Sequence, residues 1–280
     1  NISPDHLDRH GTMELYCSAK RRIVEFQDSA CDAIINSSDP VVFEWRNATK
    51  ARVRTFSRID ASANYTIFQD GGERWLVEQI DHKQTLLAPA KSLTIPGEFQ
   101  LVNALCAAAA ARAFGATAEA VAQAIAHFRG VAHRLQLLPP VRGVRFYDNA
   151  VSTVPESTIT ALESVDGPIR WIAGGKSKGL DLTKLAEAAK KLTIKSYLYG
   201  EAARELLTSL ERAGAPAEMF QNLSGALAAA WAESKPGDAI VYSPAFPSFD
   251  QYRNYKDRGA EFLHFVAKLR AESDRAGLIL

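Results

Sequence analysis

The sequence predicts a two-part α/β protein. Residues 1–130 read as a β-rich part closed by two helices, and residues 131–280 as a Rossmann-like, doubly wound, mainly parallel sheet. Three observations carry this reading. Short β-branched or aromatic runs between 33 and 93 are divided by turn clusters such as Ser37-Ser-Asp-Pro40 and Asp70-Gly-Gly72. A helical stretch rich in alanine follows. Beyond Gly130, short apolar runs alternate with helical text, which implies right-handed crossovers and helices on both sheet faces.

Leu15, Ala19, Ile23 and Phe26 recur at helical spacing and place Lys20 on a helix beginning near Thr12 or Met13. Strands are expected at 33–35, 41–43, 52–56, 65–68, 75–77 and 85–87, then helices at 99–114 and 117–128 joined at Gly115. Alanine in the first of these lets it lie close to a neighbour. In the second part, strands are expected at 144–147, 169–173, 194–199, 217–220 and 239–242. Helices are expected at 155–164, 182–191, 202–213, 223–234 and 261–271. Ligands of such a sheet gather at the carboxyl ends of its strands. Three motifs fall there, at 148–153, 174–179 and 243–255.

Composition narrows the function. The 280 residues carry 33 Lys+Arg against 32 Asp+Glu, a formal charge of +1. That gives no global attraction to nucleic acid or to a membrane surface, so an anionic ligand needs local charges. Cys17, Cys31 and Cys106 are too scattered for a disulfide framework or a cysteine-rich metal site. No apolar run reaches the roughly 18 residues of a membrane span; the alanine-rich stretch at 104–113 is short and broken by Arg112. No signal-peptide pattern opens the chain. A cytoplasmic monomer, with no nucleic-acid partner and no membrane insertion, is expected.

Six segments carry the chemistry. Asp5-His-Leu-Asp-Arg-His-Gly11 leads into Tyr16-Cys-Ser-Ala-Lys20, and Gly97-Glu-Phe-Gln-Leu-Val-Asn103 opens the alanine-rich helix. Phe128-Arg-Gly-Val-Ala-His-Arg134 marks the change of pattern. Tyr147-Asp-Asn-Ala-Val-Ser-Thr-Val-Pro-Glu-Ser157 and Ala173-Gly-Gly-Lys-Ser-Lys-Gly179 follow two candidate strands. The last is Tyr242-Ser-Pro-Ala-Phe-Pro-Ser-Phe-Asp-Gln-Tyr-Arg-Asn-Tyr-Lys-Asp-Arg-Gly259. Gly174–Gly179 lacks the Gly-x-x-x-x-Gly-Lys-Ser/Thr spacing and is no phosphate loop. Together the segments resemble the Mur ligases, the ATP-dependent amide-forming family of peptidoglycan synthesis. The last segment is similar to the glutamate-adding MurD branch.

The resemblance implies roles residue by residue. His6 would bind Mg²⁺, and Lys20 would join it as a carbamate, whose oxygens suit a hard cation where an ammonium would repel it. Asn103 would face the adenine of ATP with Gln100, which replaces a family Asn, while Phe99 replaces a His. Arg134 would reach the ATP phosphates with its planar, always-charged fork. His6, Lys20 and Arg134 are thereby the expected catalytic set. The 148–151 loop departs from the family: Asn149 stands where the acidic nucleotide-side residue is expected, and Ala150 and Val151 replace Ser and Lys. Thr153 matches the substrate-facing Thr. Lys178 would lie near the incoming amino acid, and Ser248, Phe249 and Tyr255 would line the glutamate pocket.

By the same resemblance, 1–130 correspond to the later part of the central ATP-binding domain and 131–280 to the C-terminal glutamate-binding domain. The P-loop and UDP-binding domain are not among these residues. The implied reaction phosphorylates the carboxylate of UDP-N-acetylmuramoyl-L-alanine with ATP, and glutamate attacks the acyl phosphate. A folylpolyglutamate-type ligase and a non-catalytic relative that binds nucleotide or precursor are the other readings. The altered 148–151 loop gives weight to the second. The 280-residue chain by itself is expected to be inactive. Glutamate-dependent phosphate release from the purified chain would contradict this.

Overall fold

The computed structural model describes residues 1–2 and 7–277. His6 therefore lies outside the described residues, and the metal-binding role expected of it has no structural counterpart here. Two compact units form, one from 1–94 with 98–129 and the other from 95–97 with 130–280.

The first unit opens with a short helix, α1 (Leu7–His10), and α2 (Met13–Glu25), whose start is capped by Thr12 Oγ1 accepting from Leu15 N at 3.3 Å. Lys20 sits on α2 as the spacing predicts, but the packed face is not the predicted stripe. Tyr16 and Val24, two turns apart, are buried, and Val24 packs with Ala33, Ile35, Val42 and Ala51. Leu15, Ile23 and Phe26 stay 59–75% exposed.

β1 (Asp32–Asn36) leads to α3 (Pro40–Glu44), where the sequence reading had a strand. Val41, Val42 and Phe43 favour strands, but the Asp39 carboxylate accepts from both Val41 N and Val42 N, and Pro40 presets the first helical φ. The local cap outweighs the β-branched propensity.

β2 (Arg52–Phe56), β3 (Tyr65–Asp70), β4 (Glu73–Ile80) and β5 (Lys83–Pro89) complete a sheet in the order β1-β2-β3-β4-β5. The β1–β2 and β2–β3 pairs are parallel, and β3–β4 and β4–β5 antiparallel. α4 (Phe99–Ala113) and α5 (Ala118–His127) cover it. Leu101, Leu105, Ala108 and Ala109 of α4 and Val121 and Ile125 of α5 form one core with Phe56, Tyr65, Leu76 and Leu87. Inside this unit Glu78 accepts from Arg112 Nη2 and from the Tyr65 hydroxyl, so a buried charge is fully matched.

The second unit runs β6 (Gln136–Val141), β7 (Val144–Asp148), α6 (Pro155–Glu163), β8 (Ile169–Gly174), α7 (Thr183–Leu192), β9 (Thr193–Tyr199) and α8 (Ala203–Ala213). β10 (Ala217–Met219), α9 (Leu223–Ala232), β11 (Ala239–Ala245) and α10 (Tyr255–Gly277) follow. The sheet order is β10-β9-β8-β11-β7-β6, parallel throughout except for the β6–β7 hairpin. The sequence reading has no strand at β6; Pro139 and Pro140 cannot donate to a ladder, and the edge position tolerates them. α10 begins six residues before the expected 261.

α9 and α10 pack on one face through Leu223, Leu227, Phe262 and Val266 against Ile172, Tyr197, Ile240 and Tyr242. The alternate residues Trp171, Leu198 and Val241 are equally buried and turn to the other face, where α6, α7 and α8 lie side by side. The mixed α/β class is as predicted. Among the described residues no helix is long and apolar enough to cross a membrane.

Leu105 has no exposed surface at the centre of the first core. Leu105→Ala should lower the unfolding free energy of that unit by about 2–5 kcal/mol, read by urea denaturation of the purified chain. A loss below about 1 kcal/mol would mean that the core collapses around the gap.

Candidate functional site

In the first unit, β1 and β2 are parallel neighbours, so both open their carboxyl ends on one edge. A cavity of about 490 Å³ lies there. Asn36 ends β1, Ser38 and Asp39 follow it, Arg58 follows β2, and Ile59, Val41 and Val102 give apolar walls. Asn36 also donates to the Asn1 side chain. A few convergent polar groups among apolar walls are the ordinary make-up of a small-molecule pocket. The sequence reading took Ser37–Pro40 as a plain turn and missed these residues. The available signal was a strand followed by Asn and Asp, but its meaning depends on the parallel β1–β2 pairing.

The expected adenine-side residues stand on α4, beside this cavity in sequence but not in its lining. Gln100 is buried and accepts from Asn103 Nδ2 at 3.0 Å, while Asn103 is exposed; Val102, between them, lines the cavity. Lys20 is exposed on α2 with its ammonium 5.4 Å from the centre of the Tyr16 ring. As an amine it donates only, and no group of three or more His, Cys, Asp or Glu able to hold a metal exists among the described residues. Unmodified, this set does not fit Mg²⁺. A carbamate on Lys20 would supply the missing oxygens.

The second unit gathers the remaining residues at one edge. β11 lies between β8 and β7, so the segments leaving these three adjacent strands carry Lys178, then Ser248 and Phe249, then Thr153. The segments are tied together through backbone: Lys176 N donates to Pro247 O at 2.8 Å and Asn149 N to Tyr242 O at 2.8 Å. Gly175 permits the approach to the β11 segment, and Gly174 permits a second approach, to the end of β9. Gly174 has φ +149° and Gly175 φ +139°, and a Cβ on either would stand 2.0 Å from Tyr199 O or 2.2 Å from Pro247 O. Lys178 and Phe249 are exposed at this edge, Thr153 and Tyr255 are half-buried, and Ser248 is buried.

Asn149 is enclosed, and both ends of its amide are engaged. Its Oδ1 accepts from Leu135 N at 3.1 Å and its Nδ2 donates to Ser243 Oγ at 2.9 Å. Ser243 Oγ in turn meets Thr158 Oγ1, which reaches Ser152 Oγ. Here the residue expected on the nucleotide side braces the loop from inside.

Asp148, its neighbour, is fully buried. Its carboxylate accepts from Ala150 N at 3.0 Å and lies 2.7 Å from His133 Nδ1, which places the ring proton on that nitrogen. The His133 ring stands edge-on to Tyr255, 6.1 Å between centres, and fills the space left by Gly259. Val151 N donates to His133 O at 3.2 Å. The segment carrying the exposed Arg134 is thus pinned to the β7 loop and to the start of α10. His133 and Asp148 lay inside the motifs but were not singled out, since neither looks special until the fold pairs them.

Two domain models of one enzyme family match the chain. Residues 1–111 match the Mur ligase middle domain and residues 133–246 the Mur ligase glutamate ligase domain. The chain belongs to the Mur ligase family. It is 34% identical over 273 residues to the UDP-N-acetylmuramoylalanine--D-glutamate ligase of Thermoanaerobacter sp. (strain X514), covering 96% of this chain and 60% of that protein. Its fold is similar to that of MurF ligase from Thermotoga maritima in complex with ADP, with TM-score 0.69 at 16% identity over 97% of this chain and 61% of that one. E. coli FolC in complex with DHPP and ADP gives TM-score 0.69 at 17% identity, covering 95% and 60%. The chain spans about 60% of the length of the relatives it matches.

Burial raises the Asp148 carboxyl above its ordinary value of 3.8, opposed by the Ala150 and His133 hydrogen bonds and the nearby Arg258 charge. A carboxyl raised in the folded state binds its proton more tightly there than in the unfolded chain. Its contribution to stability is therefore full below 3.8 and is lost as pH rises through the folded value. Asp148→Asn, which never ionises but still accepts from His133, should gain stability relative to the unchanged protein as pH rises from about 3 to 6. A difference independent of pH in denaturation curves would contradict the assignment.

Proposed function

We propose that the full-length protein is an ATP-dependent ligase that adds glutamate to UDP-N-acetylmuramoyl-L-alanine. In the reaction the alanyl carboxylate takes the γ-phosphoryl group of ATP, and the glutamate amine displaces phosphate from the resulting acyl phosphate. The observation that carries the reading is the grouping of the loops bearing Thr153, Lys178 and Ser248 at the carboxyl ends of three adjacent parallel strands. Support also comes from the match to a glutamate ligase domain and from relatives named for D-glutamate addition.

On this reading the second unit takes up the amino acid. Glutamate brings two carboxylates, and the family lysine of the β7 loop is here Val151. Lys178, exposed beside Gly175 on the glycine turn, then supplies the main positive charge for a carboxylate, with hydroxyl donors from Thr153 and Ser248 and a wall from Phe249 and Tyr255. Arg134 offers its fork to phosphate oxygens. The cavity of the first unit takes the nucleobase and ribose, with Asn103 and Gln100 at the neighbouring helix. Mg²⁺, held by His6 and a carbamate on Lys20, would neutralise phosphate charge. Every one of these roles acts by positioning anions and offsetting their charge.

A folylpolyglutamate-type reaction also adds glutamate through an acyl phosphate, and FolC shares the fold. The segment 242–259, similar to the MurD motif, favours the muramoyl substrate. The deciding assay is phosphate release by the full-length protein with ATP, Mg²⁺, UDP-N-acetylmuramoyl-L-alanine and either L- or D-glutamate. Release with neither isomer would leave a nucleotide- or precursor-binding role.

Two variants probe the assignments. Lys178→Ala should raise the KM for glutamate by the equivalent of about 2–3 kcal/mol while leaving that for ATP little changed. Collapse of ATP affinity with an unaltered glutamate KM would move this loop out of the amino-acid site. Lys20→Ala should abolish activity and recover part of it with added short-chain carboxylic acids. Full activity without rescue would end the carbamate assignment.

A further inference from the structure

Arg258 is the largest charged side chain with no exposed surface; Asp148 is the carboxyl whose charge it feels, and its hydrogen bonds among the described residues all go to main-chain carbonyls. It lies on the first turn of α10 and reaches under the β7 loop. Its Nε and Nη2 donate to Ala150 O at 3.2 and 2.9 Å, and Nη2 also reaches Ser152 O at 3.3 Å. Its Nη1 is buried without a hydrogen-bond partner and faces Gly175, where an added Cβ would stand 3.2 Å away.

We propose that Arg258 is a positioning residue for the amino-acid site, fixing the loop that carries Thr153 against the glycine turn that leads to Lys178. The inference rests on the reading of this edge as the glutamate site. A buried guanidinium is costly to hold, and a hydrophobic side chain of similar length would fill the same volume without desolvating a charge. What the arginine adds is a rigid fork that grips two carbonyls, one on each side of Val151. With no lysine at 151 to be held by a bound anion, the loop depends on this grip for its order. Thr153 lies one residue beyond the second gripped carbonyl, and the unpaired Nη1 keeps positive potential directed at the glycine turn. Lysine, a single point donor on a flexible stem, cannot hold both carbonyls in this way.

The test uses the full-length protein carrying Arg258→Lys, with Arg258→Ala as the second variant. For Arg258→Lys, the glutamate KM should rise about tenfold while the KM for ATP stays within about twofold. Amide exchange should quicken at 150–153 and 175–178 with β8 and β11 still protected. Arg258→Ala should regain glutamate affinity when millimolar guanidinium is added. An unchanged glutamate KM, equal rises in both KM values, loss of protection throughout the sheet, or failure of both variants to fold would each overturn the proposal, the last two by assigning Arg258 to general stability. If the unaltered full-length protein shows no glutamate-dependent phosphate release, the reading of the site fails and takes this inference with it. An active protein with an indifferent Arg258→Lys variant rejects the inference alone.

Discussion

The carboxyl edge of the second sheet is governed by how closely the chain leaving β8 passes two neighbours, the end of β9 at Gly174 and the segment after β11 at Gly175. A β-carbon at either position would overlap a carbonyl oxygen, at 2.0 and 2.2 Å. With hydrogen there instead, the turn after β8 fits between the end of β9 and the exit of β11, and Lys176 N donates to Pro247 O. The β11 exit is in turn tied to the β7 loop through Asn149, Ser243 and Thr158. Three loops that are distant in sequence thus behave as one surface, and the polar residues on them inherit a common frame.

That frame separates two kinds of polar residue in the same motifs. Lys178 and Arg134 are exposed, whereas Asn149, Asp148 and Ser243 are buried and hydrogen-bonded to one another's loops, and Arg258 is buried with its Nε and Nη2 on main-chain carbonyls and its Nη1 unpartnered. An amide at 149, where the family has an acid, has a structural logic in this chain. The inner position needs a group that both accepts from Leu135 N and donates to Ser243, which an amide does and an ionised carboxylate does not. The acid at 148 is matched instead by His133 and Ala150 N.

Much of the fold was legible because periodicity and punctuation agreed. The β/α alternation after Gly130 located five of the six strands of the second sheet. It failed at β6, whose two prolines suit only an edge, and an edge is a tertiary property. At 41–43 two local signals conflicted, and the Asp39-Pro40 cap prevailed over Val-Val-Phe. On α2 the apolar spacing gave the helix but not its packed face, since Leu15, Ile23 and Phe26 form as good a stripe as Tyr16 and Val24. What was legible of the candidate edge is its location: the segment carrying Lys178 follows a strand of the parallel sheet, as the alternation predicts. The site was not legible where the chemistry comes from partners on other strands. Arg258 stands in the last motif, but its partners are main-chain carbonyls of another loop, and the cavity after β1 depends on β2 lying parallel beside it.

The position of β11 also constrains how the second unit comes into being. It pairs with β7 across Arg145 and Ala239 and with β8 across Ile169 and Ala239, so the centre of the sheet is completed by its last strand. Until that strand is added, the β6–β7 hairpin has no neighbour and β8 exposes a bare edge. Contacts this far apart in sequence close slowly, and a chain emerging from the ribosome must hold the β8–β10 segment open until residue 245 and α10 have been made. Stalling in that interval would leave two unpaired parallel edges facing each other across an unfilled slot, a species primed to capture a strand from another molecule.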